Sequence, residues 1–531
     1  MMKYIMMVRK IQYHNLRLAA LSATGFFLPL SVWLLTFFII VLLIIWFTDD
    51  GIKKLRHLNT DRRNILIFCI FYLVYLIWMI NTSDISSGLR ELELKLPLLI
   101  FPVVIGLSEP LNQKEIKIVI SFFIGGVTIS SLAGVIFKYE SVISGLSDIR
   151  KISLFIPYIR LALMSVFAIF CSAWYFFSSG TRKGSGRFAY LIAALWLTVF
   201  QFILLSLTGI TVFAFVASLS VLWITFRMKR HFMRYLPITL WIALLIAAAI
   251  YILNEIKSFY KKGNAYPVPT EQFTLQGNRY QHYPERKDIE NGNKVWLYLN
   301  EAELKKEWDS RSSLAYDSLD RKGQRLRLTL IRYMTSAGLR KDSLGASRLK
   351  TRDISNIENG IANILYTERK PVRSKIYEII WQIDHYRNNG NPSGHSVTQR
   401  LEFLTTGWNI FLRAPLFGIG TGDLDNEFKF QYNFDRTILD LNYRYQAHNQ
   451  YLTFLISFGI VGFLLLCVST VFPLFSAKGF KNYISVVFFV IILLSMLGED
   501  VLETHTGVSF FAYFYSLFIF GTVEESSPEN Q

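Results

Sequence analysis

The sequence predicts an all-α, polytopic integral membrane protein with about 12 transmembrane helices and a large, mainly helical loop domain on the outer face. Of its 531 residues, 52% are hydrophobic and only 18% are charged, which is too apolar for an ordinary soluble protein. Uncharged runs of about 20 residues, the length that crosses a bilayer, recur along the chain. One long hydrophilic segment interrupts these runs, and it is the candidate loop domain.

The basic character of the chain indicates a membrane rather than nucleic acid. The formal net charge is +17, but much of the excess lies in short loops between apolar runs, where the positive-inside rule places Lys and Arg on the cytoplasmic side. We therefore expect membrane lipids and no nucleic acid as partners, with an acidic lipid-linked substrate as a further partner. The three cysteines lie inside apolar runs, so no disulfide framework is predicted.

The first half of the chain, residues 1–256, is predicted to hold transmembrane helices 1–9. The long apolar run near the N-terminus has basic flanks at both ends, so we interpret it as two short spans that break near Pro29 and Leu30. An outer loop at 81–93 separates the next two spans. The remaining spans of this half are predicted at 64–81, 94–108, 116–137, 157–178, 191–207, 208–226 and 235–256.

The second half begins with the hydrophilic segment 257–447, the predicted outer loop domain. Helical periodicity appears in it from Glu301 onward. Residues 448–521 supply transmembrane helices 10–12, at 449–475, 483–498 and 507–521, and 522–531 form a polar tail. This count places both termini in the cytoplasm.

The last helix of the loop domain carries a capping signature. Ser396 and Gln399 fit a capping box, which predicts that the helix begins there. One apolar stripe is predicted from Leu401, Leu404, Trp408 and Phe411. Arg400 lies at the edge of this stripe, so we expect it to lean inward over whatever the helix covers.

A glycine-rich turn, LFGIGTGD, follows this helix. Gly418, Gly420 and Gly422 would let backbone amides approach a ligand closely, as phosphate-binding turns do. A structural turn needs glycine as well, so both interpretations stay open.

His448 stands one residue before a predicted span, at the outer membrane boundary. The helix dipole disfavours imidazolium there, so a neutral ring that can accept a proton is expected at pH 7. The alternative is an interfacial histidine that holds a loop carbonyl.

Arg160 lies inside the apolar segment FIPYIRLALMSVFAIF. A guanidinium that faced lipid would cost roughly 3 kcal/mol, so the side chain should face the protein interior or an aqueous cavity. Its candidate partners are Glu499 or Asp500, in the outer loop before the last span, or a substrate diphosphate. A purely structural ion pair is the alternative.

Three stretches together resemble a known family. They are RLEFLTTGWNIFLRAPLFGIGTGD, AHNQYLTFLISFGIVG and GEDVLETHTGVSFFAYFYSLF, placed after a large outer loop. Their sequence and spacing resemble the O-antigen ligase family and the related O-antigen polymerases. The motifs are concentrated in residues 400–521.

The resemblance implies a glycosyltransferase of the bacterial inner membrane whose active site faces the periplasm. The implied donor is an undecaprenyl-diphosphate-linked glycan and the implied acceptor is lipid A-core or another glycan, with no cofactor and no metal. His448 matches the family's essential histidine and Arg400 its loop arginine. With Arg160 as a third catalytic candidate, the predicted substrate-binding residues are Gly418, Gly420, Gly422, Asn449, Tyr451, Glu499 and Asp500.

The chain departs from the family at one position. A second arginine often begins a span in the family, but the matching place reads SLTG, with Leu207 where arginine is expected. We expect Arg160 to supply the missing charge. His448 would then deprotonate the acceptor hydroxyl, the arginines would stabilise the diphosphate, and the product would be inverted.

Several other functions stay open at this point. The runner-up is an O-antigen or exopolysaccharide polymerase, which shares the motifs. A protein O-oligosaccharyltransferase, a transporter of lipid-linked glycans and a structural assembly protein are further alternatives. A transporter should show paired halves or a series of charges across the spans, and neither is visible.

Overall fold

The protein is described here by a computed structural model. It covers residues 2–51, 63–143, 149–178, 186–227, 231–261, 271–367, 371–477 and 479–522. All but the first residue of the predicted polar tail, and parts of the basic loops on which the predicted orientation depends, lie outside the described residues.

Helices dominate the described ranges. The helices of the first half are α1 Met2–Phe27, α2 Val32–Thr48, α3 Arg63–Ile77, α4 Ile85–Lys95, α5 Pro97–Gly106, α6 Gln113–Ile143, α7 Tyr158–Ser178, α8 Gly186–Leu204, α9 Leu207–Arg227 and α10 His231–Lys261. An antiparallel pair of short strands follows, β1 Ile289–Glu290 and β2 Asn293–Lys294. The later helices are α11 Glu301–Asp309, α12 Leu326–Ser336, α13 Ser343–Ser347, α14 Thr351–Glu358, α15 Pro371–Asn389, α16 Gln399–Arg413, α17 Leu424–Phe434, α18 Gln450–Ser476, α19 Tyr483–Ser495 and α20 His505–Ile519.

Short polar side chains start many of these helices. Ser31, Asp84, Asn300, Asn449 and Thr504 each accept a hydrogen bond from the backbone N–H three residues further on. Such caps satisfy one of the free donors of the first turn and typically stabilise a helix by about 1 kcal/mol. Two of these caps, Asn449 and Thr504, lie next to the candidate active site.

Each of the twelve predicted spans coincides with a helix, but the lengths differ. Within the described ranges, seven helices are long and apolar enough to cross a membrane: Arg63–Asn81, Gln113–Lys138, Tyr158–Ser178, Gly186–Leu204, Leu207–Phe226, Tyr235–Tyr260 and Gln450–Ser476. Two shorter apolar helices are Val32–Thr48 and Tyr483–Ser495. The polytopic membrane class is therefore confirmed, while the number twelve stays a prediction.

Two local predictions can be compared directly with the structure. The break near Pro29 and Leu30 is confirmed, because α1 ends at Phe27 and α2 begins at Val32. The segment 81–93, predicted as an outer loop, is largely helical, and its position on the outer side stays a prediction. It contains α4, which Asp84 caps and which continues to Lys95, and this helix places two charged residues beside the candidate site.

The chain divides into two compact units. The first comprises residues 1–138, 150–217 and 400–531, and the second comprises 139–149 and 218–399. The predicted loop domain, 257–447, is thus not one unit. Its last part, from Arg400 onward, belongs with the membrane helices of the first unit.

The first unit has α20 at its centre. Every residue from Thr506 to Ile519 is buried, which is typical of a helix surrounded on all sides. The ring of Phe514 lies 4.9 Å from that of Phe123 and 5.0 Å from that of Phe167. The loop that leads into α20 is consequently held against a rigid aromatic core.

The second unit contains β1, β2 and the helices α11 to α15 around its own core. Trp308, Tyr316, Leu330 and Tyr333 are buried at the centre of this cluster. The C-terminal end of α10 packs on α15, where the rings of Phe259 and Tyr377 lie 5.2 Å apart. The predicted helical character of residues 301–399 is confirmed.

Candidate active site

The site is organised around Glu499, a carboxylate with only 2% of its surface exposed in the loop between α19 and α20. Arg400 donates a hydrogen bond to its Oε1. Its Oε2 lies 3.7 Å from Nη1 of Arg160 and 3.9 Å from Nδ1 of His448. The three catalytic candidates of the sequence analysis therefore converge on one buried carboxylate. A buried carboxylate needs cationic partners, and the guanidinium groups of Arg160 and Arg400 supply them.

Arg160 lies in the first turn of α7 and faces the protein interior. Its Nη2 donates to the carbonyl oxygen of Asp500 at 2.5 Å, and its Nε donates to Oγ1 of Thr504 at 3.3 Å. With Glu499 opposite Nη1, the guanidinium has an oxygen partner on each side. The expectation that Arg160 would avoid lipid and meet Glu499 or Asp500 is confirmed.

His448 lies directly before α18, with a positive φ of 48°. Its ring packs on Phe403, with the ring centroids 5.5 Å apart. Burial lowers the pKa of His448 below its ordinary 6.5, and the neighbouring charges of Arg400 and Arg160 lower it further, while Glu499 acts in the opposite direction. The imidazole is therefore mainly neutral at pH 7, as expected from the sequence, and it can accept a proton.

Arg400 reaches Glu499 because it lies on the buried face of α16. This face differs from the predicted stripe: Leu401 and Trp408 are about half exposed, at 52% and 50%, whereas Phe403 and Ile410 are buried. Half of the predicted stripe is confirmed, because Phe411 is buried and Leu404 packs against the same core, and half is wrong, because Leu401 and Trp408 are exposed. Gly407 marks the face of closest approach. A Cβ there would lie 3.0 Å from Leu452 of α18.

The start of α16 also differs from the prediction. The helix begins at Gln399, and residues 396–398 form a turn before it. The backbone N–H of Gln399 donates to the carbonyl of His395. The residue before the helix is Thr398, so the predicted cap at Ser396 is wrong by two residues, but Arg400 still lies in the first turn.

Asp500, the neighbour of Glu499, is a second buried carboxyl group. Thr453 donates a hydrogen bond to it at 2.8 Å. Burial and the charge of Glu503 raise the pKa of Asp500 from its ordinary 3.8 to about 6, against the opposing effects of Thr453, Arg160 and the His448 backbone. The group thus titrates close to neutral pH at the edge of the site.

A second ionic cluster, which sequence reasoning missed, lies behind this loop. Lys95 at the end of α4 is completely buried, and its Nζ lies 2.7 Å from Glu503 and 3.2 Å from Glu91. It also donates to the carbonyl oxygen of Leu502. A lone lysine at the start of an apolar run was the available signal, and the sequence analysis assigned it no role.

Gln450 ties this cluster to α18. Its Nε2 donates to Glu503 at 2.7 Å, and its Oε1 accepts from the backbone N–H of Leu502 at 2.7 Å. Burial raises the pKa of Glu91. Burial also acts to raise that of Glu503, but Lys95 and Gln450 outweigh it and the net pKa is lowered. The loop that carries Glu499 is therefore fixed from behind.

The glycine-rich turn packs against the chain itself. A Cβ on Gly418 would lie 2.4 Å from the carbonyl oxygen of Ser457, and one on Gly420 would lie 2.6 Å from that of Asn81. Gly422 meets the carbonyl oxygen of Asp84 at 2.4 Å in the same way. The structure gives these glycines a packing role, and their predicted contact with substrate stays a prediction.

This turn is joined to a break in α18. Gly459 has φ 63° and ψ −170°, which interrupts the helix. Ile419 and Gly420 donate backbone hydrogen bonds to the carbonyls before the break, and Ile460 donates to the carbonyl of Pro415 after it. The segment 415–420 thus satisfies polar groups that the broken helix leaves free, as a membrane interior requires.

Asn449 and Tyr451 also bond to the protein. Asn449 caps α18 and donates to the carbonyl of Leu497 at 3.0 Å. The Tyr451 hydroxyl donates to the carbonyl of Leu493 at 2.9 Å. These bonds fix α18 to the end of α19, and a direct role in substrate binding stays a prediction.

An open cavity of about 330 Å³ lies over these groups. Its volume is in the range of small-molecule sites. It is lined by Arg160, Asp425, Phe428, Lys429, Tyr432, Arg444, Tyr445, Gln446, His448, Glu499, Asp500 and Glu503. Leu207, where the family arginine is missing, is absent from this lining and is 45% exposed.

In the parts of the chain that the structure describes, no three His, Cys, Asp or Glu side chains come close enough together to hold a metal ion.

Comparison with known proteins gives one match. No curated protein matches the chain. Residues 356–467 match the family model Wzy_C, described as O-antigen ligase. The matched region contains Arg400, the glycine-rich turn and His448. This match confirms the resemblance of the chain to the O-antigen ligase family.

Proposed function

We propose that this protein is a glycosyltransferase of the bacterial inner membrane that moves a glycan from undecaprenyl diphosphate to a sugar hydroxyl of lipid A-core at the periplasmic face. The observation that carries the proposal is the convergence of neutral His448, Arg160 and Arg400 on buried Glu499 at the wall of a cavity. The family match supports the same class of glycosyltransferase.

His448 is the general base of the proposed reaction. Its Nδ1 faces Glu499, so Nε2 is the nitrogen available to the acceptor hydroxyl. As the hydroxyl oxygen attacks the anomeric carbon, its proton moves to Nε2. The bond from that carbon to the diphosphate oxygen breaks, and the diphosphate leaves with the electron pair. Attack from the opposite face inverts the anomeric configuration.

Glu499 positions His448 and stabilises the imidazolium that forms, in the manner of a carboxylate behind a catalytic histidine. It also holds Arg160 and Arg400 at one point. Arg400 is about one third exposed, whereas Arg160 is buried. Arg400 can therefore turn from Glu499 to a diphosphate while Arg160 keeps its place.

Arg160 takes the role of the arginine that is missing at Leu207. It comes from the start of a span, as the family arginine does, and it lines the cavity. Two guanidinium groups near a departing diphosphate stabilise the charge that develops in the transition state. The glycines at 418, 420 and 422 act in this proposal by packing: Gly418 lies against α18, and Gly420 and Gly422 lie against residues 81–88 at the start of α4.

The test is transfer by the purified protein in lipid nanodiscs, with undecaprenyl-diphosphate glycan and lipid A-core as substrates. His448→Ala should lower kcat by about a thousandfold, the usual range for removal of a general base, while the protein remains folded and binds donor. His282→Ala, a histidine that does not line the cavity, is the matched control and should keep full activity. Full activity of His448→Ala would refute the assignment.

Ligation and polymerisation differ in the acceptor. A strain that lacks a ligase accumulates unmodified lipid A-core together with polymerised glycan on the lipid carrier. A strain that lacks a polymerase attaches single repeat units to the core. Gel analysis of the two glycolipid pools in a deletion strain therefore separates the proposed function from its runner-up.

A further inference from the structure

The cavity has a second wall that the reaction chemistry does not use. It is formed by α17 and by the segment 444–446, and it carries the aromatic side chain Tyr445 and the cation Lys429. Of the aromatic residues in the lining, Phe428 and Tyr432 are buried, whereas Tyr445 is 51% exposed. An aromatic ring left half exposed at a cavity wall is a surface for a ligand with an apolar face.

The segment 444–446 is held rigidly in place. Arg444 donates to Asn433 at 2.7 Å, and Gln446 donates to Asp425 at 2.6 Å. Between them, the hydroxyl of Tyr432 donates to the carbonyl of Tyr445 at 2.7 Å. Each of the three residues is thus tied to α17, so the Tyr445 ring has little backbone freedom to lose on binding.

The Tyr445 ring lies close to the reacting group. Its centroid is 6.2 Å from that of His448, and it meets the ring of Phe403 edge to face at 6.0 Å. A sugar ring carries its C–H groups on its faces and its hydroxyls at its edge. A sugar stacked on Tyr445 would therefore present an edge hydroxyl toward His448.

Lys429 adds a charge to this wall. It is exposed on α17, and within the described ranges no carboxylate lies within salt-bridge distance of it. The other cations of the cavity are occupied: Arg160 faces Glu499, and Arg444 bonds to Asn433. Lys429 is consequently available to an anionic substituent on a bound saccharide.

We propose that Tyr445 and Lys429 form the acceptor subsite, in which Tyr445 stacks on the sugar that is to be glycosylated and Lys429 binds a phosphate or carboxylate group of the same oligosaccharide. The identification of the bound sugar as the acceptor rests on the proposed function. The saccharide site itself is defined by the cavity wall alone.

Direct binding tests the subsite without any turnover. The probe is core oligosaccharide released from lipopolysaccharide by deacylation, either intact or dephosphorylated with hydrofluoric acid, and calorimetry on the nanodisc-embedded protein gives Kd. Tyr445→Ala should weaken binding of both probes about tenfold, whereas Tyr445→Phe, which keeps the ring, should stay within about twofold of wild type. Lys429→Ala should weaken only the phosphorylated probe, about threefold.

The outcomes separate the two proposals. Binding that depends on Tyr445 and survives in His448→Ala supports the subsite, even if no transfer is found and the proposed reaction fails. If transfer is active but Tyr445→Ala changes neither the Kd nor the KM for the acceptor, the subsite is refuted and the proposed reaction stands. Absence of probe binding to the wild-type protein also refutes it. If Lys429→Ala leaves the Kd for the phosphorylated probe unchanged, Lys429 is not part of the subsite.

Discussion

The first unit contains two ionic clusters with similar chemistry. In the first, the side chains of His448 and Arg400 are about one third exposed, whereas Lys95, at the centre of the second, is completely buried. In the open cluster, Arg160, Arg400 and His448 surround Glu499 at a cavity wall. In the closed cluster, Lys95 is completely buried between Glu91 and Glu503. The same loop, residues 496–504, carries a carboxylate of each. The contacts of the closed cluster hold this loop in place, and in our proposal the open cluster meets the substrate.

The largest effect should come from breaking the closed cluster. Lys95→Met leaves Glu503 buried without its cation and should lower the free energy of unfolding by about 3 to 5 kcal/mol. Lys95→Met combined with Glu503→Gln should recover part of this loss. The measurement is denaturant or thermal unfolding in detergent, with the exposed Lys114→Met as the control. A Lys95→Met protein as stable as wild type would mean that the two clusters do not differ in this way.

Removing the shared carboxylate of the open cluster should affect activity more than stability. Glu499→Gln keeps the shape of the side chain but withdraws the charge that positions His448, so kcat should fall about a hundredfold, near 2.7 kcal/mol of activation free energy. Unfolding should change by less than for Lys95→Met. If kcat is unchanged in Glu499→Gln, the carboxylate has a structural role and does not contribute to catalysis.

Asp500 lies between the two clusters and should make stability depend on pH. Its folded-state pKa, about 6, lies above its ordinary 3.8. The stabilisation linked to its proton is therefore fully present below about pH 4 and is lost as pH rises through 6, on the order of 2 to 3 kcal/mol. Asp500→Asn should remove this slope in unfolding experiments between pH 4 and 7. An identical slope in the variant would assign the titration to another group.

The smallest effect should be a shift in the pH dependence of kcat/KM, which reports on His448 in the open cluster. Burial, Arg400 and Arg160 hold the pKa of His448 below 6.5, so kcat/KM should fall on the acid side of that value. Arg400→Gln removes one positive charge and should move this acid limb to higher pH by about one unit. An acid limb that does not move would show that His448 is not the titrating group.

The sequence predicted the open cluster better than the closed one. Arg160 was visible as a lone arginine inside an apolar run, and His448 through its place before a span. Lys95 carries nearly the same signal, but it lies at the end of a run, where a lysine usually reaches water. Its burial depends on α4, which the sequence analysis interpreted as a loop.

Packing between distant segments explains the other errors. Of the predicted stripe on α16, Leu404 and Phe411 face the core, but Leu401 and Trp408 do not. The buried face includes Gly407, which lets α18 approach. The break in α18 at Gly459 could not be predicted, because a helix that is apolar on all sides has no periodicity that reveals its backbone. The partner of that break, the segment 415–420, is recognisable only in three dimensions.

The contact of Lys95 with Leu502 spans 407 residues, and this separation has a consequence for biosynthesis. During translation Glu91 is made together with Lys95, but Leu502 and Glu503 follow only 407 and 408 residues after the lysine. The burial of the lysine and the placing of the loop between α19 and α20 are therefore completed in the same step of folding. A chain that stops before residue 496 keeps the contact of Lys95 with Glu91 but lacks those with Leu502 and Glu503.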